Sequence, residues 1–162
     1  MRIAICSDIH DNIWKLESAL PGMNRANALI FCGDFCAPFT LVQLARGFEG
    51  PVHAVFGNND GDQRLLLQKA GEVGNAELHG LFAELEIGGV RIAVVHYPEI
   101  ARGLAASGHY DVVCYGHDHT LHEERVGDTL LLNPGEIMGR FGRSTYMLLD
   151  ADTRTVTVHD IE

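Results

Sequence analysis

The chain has 162 residues, of which 46% are hydrophobic and 21% are charged. These proportions are those of a folded globular protein, so we exclude bulk disorder and predict one domain over residues 1–162. Lys and Arg number 12 against 22 Asp and Glu, a formal net charge of −10, which argues against a basic face that binds long nucleic acids.

Membrane insertion and export are also not expected. The longest apolar run has five residues, at 28–32, whereas a membrane-spanning helix needs roughly 18 or more. The apolar residues 3–6 lead directly into Ser7-Asp8 without a longer hydrophobic region, so we predict a cytoplasmic protein with no membrane partner. Three of the four cysteines lie in apolar runs, and we expect reduced thiols.

The first two-thirds of the chain alternates short apolar runs with segments whose apolar residues recur at helical spacing. In chain order we predict a strand at 2–7, a helix at 12–23, a strand at 28–32, a helix at 39–47, a strand at 52–56 and a helix at 62–70. A hairpin turning at Gly88-Gly89 follows, with strands at 81–87 and 90–96, then a helix at 98–107 and a strand at 112–115.

The last third predicts strands only, at 120–126, 129–133, 143–150 and 153–159. Gly127-Asp128 and Ala151-Asp152 fit the short turns between them. Alternating strands and helices followed by hairpins predict an α/β fold, in which two mixed β-sheets pack face to face with helices outside.

Polar side chains of the kinds that bind metal ions follow five of these strands. The five clusters are Ser7-Asp8-Ile9-His10, Gly33-Asp34, Gly57-Asn58-Asn59-Asp60, His96 and Gly116-His117-Asp118-His119. Ligands of α/β sheets bind beyond the carboxyl ends of the strands. Strands of one sheet that run the same way would therefore bring all five clusters to one edge.

Together the clusters supply seven candidate metal ligands: Asp8, His10, Asp34, Asn58, His96, His117 and His119. Mixed oxygen and nitrogen donors suit Mn, Fe, Zn or Co better than Ca or Mg. Seven donors are too many for one tetrahedral ion and fit two ions that share a carboxylate. Two metals about 3.5–4 Å apart can stabilise in-line displacement at phosphorus.

Each motif taken alone has a simpler interpretation. Asp8-x-His10 is too short to be specific, and Gly57-Asn58-Asn59-Asp60 also fits a β-turn with Asx hydrogen bonds. A single histidine such as His96 is often structural. The order of the motifs and their position after five strands favour the metal site.

The same motifs, in the same order, resemble those of the calcineurin-like metallophosphoesterases. The short chain and Asn133-Pro134-Gly135 are further similar to the small YfcE-like phosphodiesterase branch. This resemblance runs to about Gly135 and implies a four-layer αββα sandwich. It implies one ion on Asp8, His10, Asp34 and His119, and a second on Asp34, Asn58, His96 and His117.

The resemblance also implies the chemistry. A hydroxide between the two divalent ions would attack phosphorus, with Asn58 and His96 at the reaction centre. Asp60 is expected to orient the Asn58 loop or to fix a histidine in one tautomer. Mn²⁺ is our first choice of metal, with Fe, Zn, Ni and Co as alternatives.

Three positions depart from the family pattern. Many relatives carry, where this chain has Asn59, a histidine that protonates the leaving group. An amide cannot donate a proton near neutral pH, so general acid catalysis worth about 10²–10⁴-fold is missing there. The small phosphodiesterase branch shares this absence, so we predict hydrolysis of a small phosphate diester. Tyr97-Pro98 either narrows the substrate mouth or packs on the next helix, and Asp118 is expected to be solvated or to face away as an acceptor.

Two other functions remain open on the same residues. The first is a phosphomonoesterase or nucleotide polyphosphate hydrolase. The second is a protein-interaction scaffold like the retromer small subunit, which resembles the same branch, although a scaffold does not need seven intact ligands. Related small phosphodiesterases self-associate, which leaves a homodimer open.

Overall fold

The computed structural model describes all residues 1–162 and contains eleven strands and four helices. The first half runs β1 (Arg2–Cys6), α1 (Ile13–Met23), β2 (Ala28–Phe31), α2 (Pro38–Gly47), β3 (Val52–Ala54), α3 (Gln63–Val73) and β4 (Ala76–Leu78). The second half runs β5 (Phe82–Ile87), β6 (Val90–Val95), α4 (Pro98–Ala106), β7 (Val112–Cys114), β8 (Leu121–Val126), β9 (Thr129–Pro134), β10 (Thr145–Asp150) and β11 (Val156–Asp160).

The strands form two mixed sheets. The first has the order β11-β10-β1-β2-β3-β4, in which β1 to β4 are parallel and β10 and β11 are antiparallel to their neighbours. The second has the order β5-β6-β7-β9-β8, with β6, β7 and β9 parallel and the two outer strands antiparallel. The parallel strands lie in the interior of the second sheet, where both faces are buried.

Alternation along β1 shows how the layers pack. Ala4 and Cys6 face the apolar core shared with α1, α2 and α3, whereas Ile3 and Ile5 face the core between the two sheets. Helix α4 covers the outer face of the second sheet through Ala101 and its neighbours. Because each sheet has one helical face and one sheet face, the molecule is a four-layer αββα sandwich, and the predicted fold class is confirmed.

One strand was not predicted from the sequence. Strand β4 (Ala76–Leu78) has three residues, Ala-Glu-Leu, which lack β-branched side chains. It pairs in parallel with β3, and the asparagine before it, Asn75, uses its side-chain amide to bind the carbonyls of Ala45, Phe48 and Gly50. Tertiary contacts therefore place this strand where local propensity does not.

The expectation that one sheet carries all five polar clusters is wrong. Strands β1, β2 and β3 of the first sheet lead to three clusters, and β6 and β7 of the second sheet lead to His96 and to Gly116–His119. The two sheets meet at this end of the sandwich, where the backbone N–H of His117 donates to Asp8 over 3.1 Å. No helix in the structure has the length and apolar character needed to cross a membrane.

Candidate metal centre

The loops after the strands turn sharply at the candidate ligands. Eight residues other than glycine have positive φ, and seven of them lie in these loops: Asp8, His10, Asp11, Asp34, Cys36, His117 and His119. This left-handed backbone is rare for residues with a Cβ and is held only by surrounding structure. The backbone strain of the molecule is thus concentrated where the polar clusters meet.

The first half of the centre is built from β1 and the loop after β7. Asp8 is fully buried, and its Oδ1 lies 3.5 Å from His10 Nε2 and 3.3 Å from His119 Nε2. The imidazoles of His10 and His119 stack with their centroids 5.0 Å apart. Three of the predicted ligands therefore face one point.

The second half is built from β2, β3 and β6. Asp34 Oδ2 lies 3.4 Å from His96 Nε2 and also 3.4 Å from His10 Nε2, so this carboxylate faces both halves. Asn58 Oδ1 lies 3.0 Å from His96 Nε2 and 2.8 Å from His117 Nδ1. The structure thus brings all seven sequence-predicted ligands together.

Two buried polar atoms in this centre have no hydrogen-bond partner. They are Asp8 Oδ1 and His10 Nε2, both of which point into the cluster. A buried acceptor without a partner costs on the order of 1–3 kcal/mol, and such groups in a native protein need an explanation. The centre contains two groups of three residues, Asp8-His10-His119 and Asp8-Asp34-His96. Within each group the possible metal-ligand atoms all lie within 4.8 Å of one another. The residues therefore fit bound divalent cations.

Hydrogen bonds to residues behind the candidate ligands set the orientation of their side chains. His96 Nδ1 lies 2.7 Å from the carbonyl oxygen of Cys32, so Nδ1 carries the proton and the lone pair of Nε2 faces the centre. His119 Nδ1 lies 2.6 Å from Glu136, which is fully buried and also accepts the backbone N–H of Phe141. Sequence reasoning missed Glu136, although it follows Asn133-Pro134-Gly135 directly.

Replacing Glu136 by Gln should weaken metal binding by about 10–100-fold, the loss typical when the partner of a metal-binding histidine is removed. The amide removes the negative charge that makes His119 a better donor. Isothermal titration calorimetry with Mn²⁺ measures the change in metal affinity. The exposed Glu17→Gln on α1 is the charge-matched control and should bind as the wild type; equal affinity in both variants would contradict this role of Glu136.

Asp60 acts on the backbone rather than on a histidine. Its carboxylate accepts the N–H groups of Gly57, Asp34 and Cys36, at 2.7, 3.1 and 3.0 Å. The expected orientation of the Asn58 loop is therefore present, but the expected contact with a histidine is not. Asp60 ties the loops after β2 and β3 to each other.

The surroundings of Asp34 hold its carboxylate in the ionised form. Burial would raise the pKa of Asp34, but hydrogen bonds from His96 and Asn59 outweigh it and lower the pKa to about 2. Burial likewise acts to lower the pKa of His10 and His96, yet the carboxylates beside them outweigh it and raise both pKa values. Burial and the surrounding carboxylates raise the pKa of Cys36 to about 12, so this thiol, 3.5 Å from His10 Nδ1, stays neutral.

Two aromatic rings flank the centre. Tyr97 is the residue before α4 and lies edge-on to His117, with ring centroids 4.9 Å apart. Phe141 lies edge-on to His119 at 5.2 Å, is 68% exposed, and carries the guanidinium of Arg140 over its ring. Asp118 is exposed and accepts the side-chain amide of Asn133 over 2.7 Å, which combines the two predicted roles.

The fold and the site define a class of protein, a two-sheet α/β sandwich with a histidine and carboxylate centre at the ends of its strands. The family model of the calcineurin-like phosphoesterase superfamily domain matches residues 1–154. The chain belongs to this superfamily, as the sequence motifs predicted. It is therefore a metal-dependent phosphoric ester hydrolase by class, and its cofactors are divalent metal ions.

Individual relatives agree with this assignment. The chain is 31% identical over 159 residues to a phosphodiesterase of Methanocaldococcus jannaschii, covering 95% of each protein. It is also similar to the structure of an archaeal phosphodiesterase, with a TM-score of 0.92, 30% identity and 99% of each chain covered.

More distant structures share the fold alone. The YfcE phosphoesterase of E. coli has a TM-score of 0.68 at 20% identity, with 100% of each chain covered. Vps29 of Entamoeba histolytica in complex with Zn²⁺ has a TM-score of 0.69 at 22% identity, covering 99% of this chain and 91% of its own.

Proposed function

We propose that this protein is a phosphodiesterase that hydrolyses a small phosphate diester at a centre of two divalent cations. The observation that carries the proposal is the convergence of seven candidate ligand side chains, among which two buried atoms, Asp8 Oδ1 and His10 Nε2, have no hydrogen-bond partner. A scaffold protein would gain nothing from leaving such atoms unpaired in its interior.

The donor set divides naturally between two ions. Asp8, His10, Asp34 and His119 would hold one, and Asp34, Asn58, His96 and His117 would hold the other. Asp34 is the shared ligand because its Oδ2 is equidistant, at 3.4 Å, from His10 and His96. When bound, such a pair lowers the pKa of water and stabilises negative charge on phosphate oxygens. Mn²⁺ is the proposed metal, because mixed imidazole and carboxylate donors suit it and it exchanges readily.

The residue at position 59 decides which ester is expected. Asn59 donates its side-chain amide to Asp34 Oδ2 over 2.8 Å and its backbone N–H to Asp34 Oδ1 over 2.7 Å. It therefore stabilises the charged form of Asp34 and offers no acidic proton to a leaving group. An ester whose leaving group is already acidic needs no such proton, which favours aryl or phosphate leaving groups.

The flanking rings favour a diester over a monoester. A diester carries two organic groups and one negative charge, and two aromatic rings adjoin the centre, Tyr97 beside His117 and the exposed Phe141 beside His119. Arg140 supplies a single cation beside Phe141. Aromatic surfaces bind organic substituents, and one guanidinium matches one remaining charge.

The test is the rate of the metal-stripped protein, with and without Mn²⁺, on an aryl phosphodiester and on the matching aryl monoester. We expect Mn²⁺-dependent hydrolysis that is faster on the diester. Faster hydrolysis of the monoester would select the phosphomonoesterase or polyphosphate hydrolase alternative. Failure of the protein to bind any transition metal would select the scaffold alternative.

A further inference from the structure

A second group of possible metal ligands lies outside the centre, on β3 and β4 at one edge of the first sheet. His53 is the middle residue of β3, and its partner in the register with β4 is Glu77. His79 follows β4 two positions after Glu77, so it projects to the same face of the sheet. The next residue across the sheet from His53, Ile30, packs in the core between the two sheets, so the group occupies that inner face at its edge.

The three side chains converge on one point. His53 Nδ1 lies 3.1 Å from His79 Nε2 and 3.8 Å from Glu77 Oε2. The other ring nitrogen of His79, Nδ1, lies 3.7 Å from Glu77 Oε1. One possible ligand atom from each of the three residues lies within 4.8 Å of the other two. The imidazoles are 21% and 17% exposed, whereas Glu77 is 69% exposed, so the group is open to solvent on one side.

With Nε2 as the ligand atom of His79 and Oε2 as that of Glu77, the distances from His53 Nδ1 are 3.1 and 3.8 Å, which bracket the spacing of donors around a zinc ion. Donors at about 2.0–2.2 Å from a tetrahedral Zn²⁺ lie roughly 3.3–3.5 Å from one another. Two imidazoles and one carboxylate form one of the common three-residue zinc sets, with the fourth position left to water. Burial and the neighbouring His79 lower the pKa of His53, which keeps its ring neutral and its lone pair available at neutral pH.

We propose that His53, His79 and Glu77 bind a divalent cation of the Zn²⁺ class, at a site separate from the centre formed by Asp8 and Asp34. The site would tie β4, a three-residue edge strand, to β3. Strand β3 leads directly into the loop that carries Asn58. In that connection the backbone N–H of Phe56 donates to the carbonyl oxygen of Gly80 over 2.8 Å. A cation here would therefore stabilise the edge of the sheet from which Asn58 projects.

The competing explanation is a simple hydrogen bond between two neutral imidazoles, in which one ring N–H donates to the other ring. Such a pair needs neither Glu77 nor a cation. The two explanations differ in metal content, which is measurable whatever the number of ions at the other centre.

The experiment counts zinc per chain after equilibrium dialysis of the untagged protein, using plasma emission spectrometry. The wild type should bind one more equivalent of Zn²⁺ than His79→Gln, and the exposed His109→Gln should bind as much as the wild type. Zn²⁺ should also raise the melting temperature of the wild type more than that of His79→Gln. Equal zinc content in the wild type and His79→Gln would overturn the proposal.

A second variant, Glu77→Gln, tests the proposal even if His79→Gln does not fold. Glu77 is largely exposed, so Glu77→Gln should fold, as circular dichroism would verify. It should lose the same equivalent of zinc at concentrations that saturate the wild type. If Glu77→Gln retains that equivalent, the carboxylate is not a ligand and the three-residue site is wrong.

Discussion

Asp34→Asn should abolish tight metal binding and lower turnover by at least about 10²–10³-fold, the loss typical when one preorganised electrostatic group is removed from an active site. The reason is position and charge together. Asp34 Oδ2 faces both His10 and His96 at 3.4 Å, and its pKa of about 2 keeps it ionised throughout the neutral range. A neutral amide of the same shape keeps the packing and removes the charge that both cations would share.

The measurement for Asp34→Asn is metal content per chain together with kcat on an aryl phosphodiester. Asp62→Asn is the matched control. Asp62 caps α3 by accepting the N–H of Leu65 over 3.0 Å, and Asn caps a helix equally well. This control should retain metal and activity. If Asp34→Asn retains both as well, Asp34 is not a shared ligand and the centre of two cations is wrong.

Gly57→Ala should lower both stability and activity, although the added methyl group touches no substrate. A Cβ at position 57 would overlap the Asp34 carboxylate and lie 2.7 Å from the backbone nitrogen of Asp34. Overpacking against rigid backbone costs typically 1–3 kcal/mol. Because the clash displaces Asp34 itself, a shift of about 1 Å can reduce turnover by about 10²-fold.

The free energy of unfolding in urea and kcat together test the effect of Gly57→Ala. Gly103→Ala is the control, because Gly103 lies exposed in α4 and a Cβ there meets no atom within 4 Å. Alanine at a helical site of this kind should stabilise by roughly 0.5–1 kcal/mol and leave kcat unchanged. A Gly57→Ala variant with wild-type stability and turnover would show that the loop gives way without moving Asp34.

Much of the fold was predictable because local patterns agree with the final packing. The apolar runs that became β1, β2 and β9 are buried on both faces and lie close to their predicted bounds. Strand β4 was not predictable, because Ala-Glu-Leu has no strand preference and pairs with β3 only in the assembled sheet.

The same division applies to the candidate centre. The seven candidate ligands were visible because each follows an apolar strand and belongs to a residue type that binds metal. Glu136 was not visible, because a single carboxylate after a turn carries no motif. Its burial and its 2.6 Å contact with His119 exist only once β9 lies beside the loop after β7.

The sequence by itself determined the class of chemistry, because the types of the candidate ligands and the order of their motifs along the chain can be read directly from the sequence. Only the tertiary structure decided that the five clusters come from two sheets, since sheet membership depends on pairing between distant strands. The motifs already suggested that Asp34 serves both halves of the centre, but only the structure gave its 3.4 Å distances to His10 and His96 and showed that His53 and His79 meet 3.1 Å apart. Those contacts join residues far apart in the chain, and no periodicity or spacing encodes a distance between strands that pair only on folding.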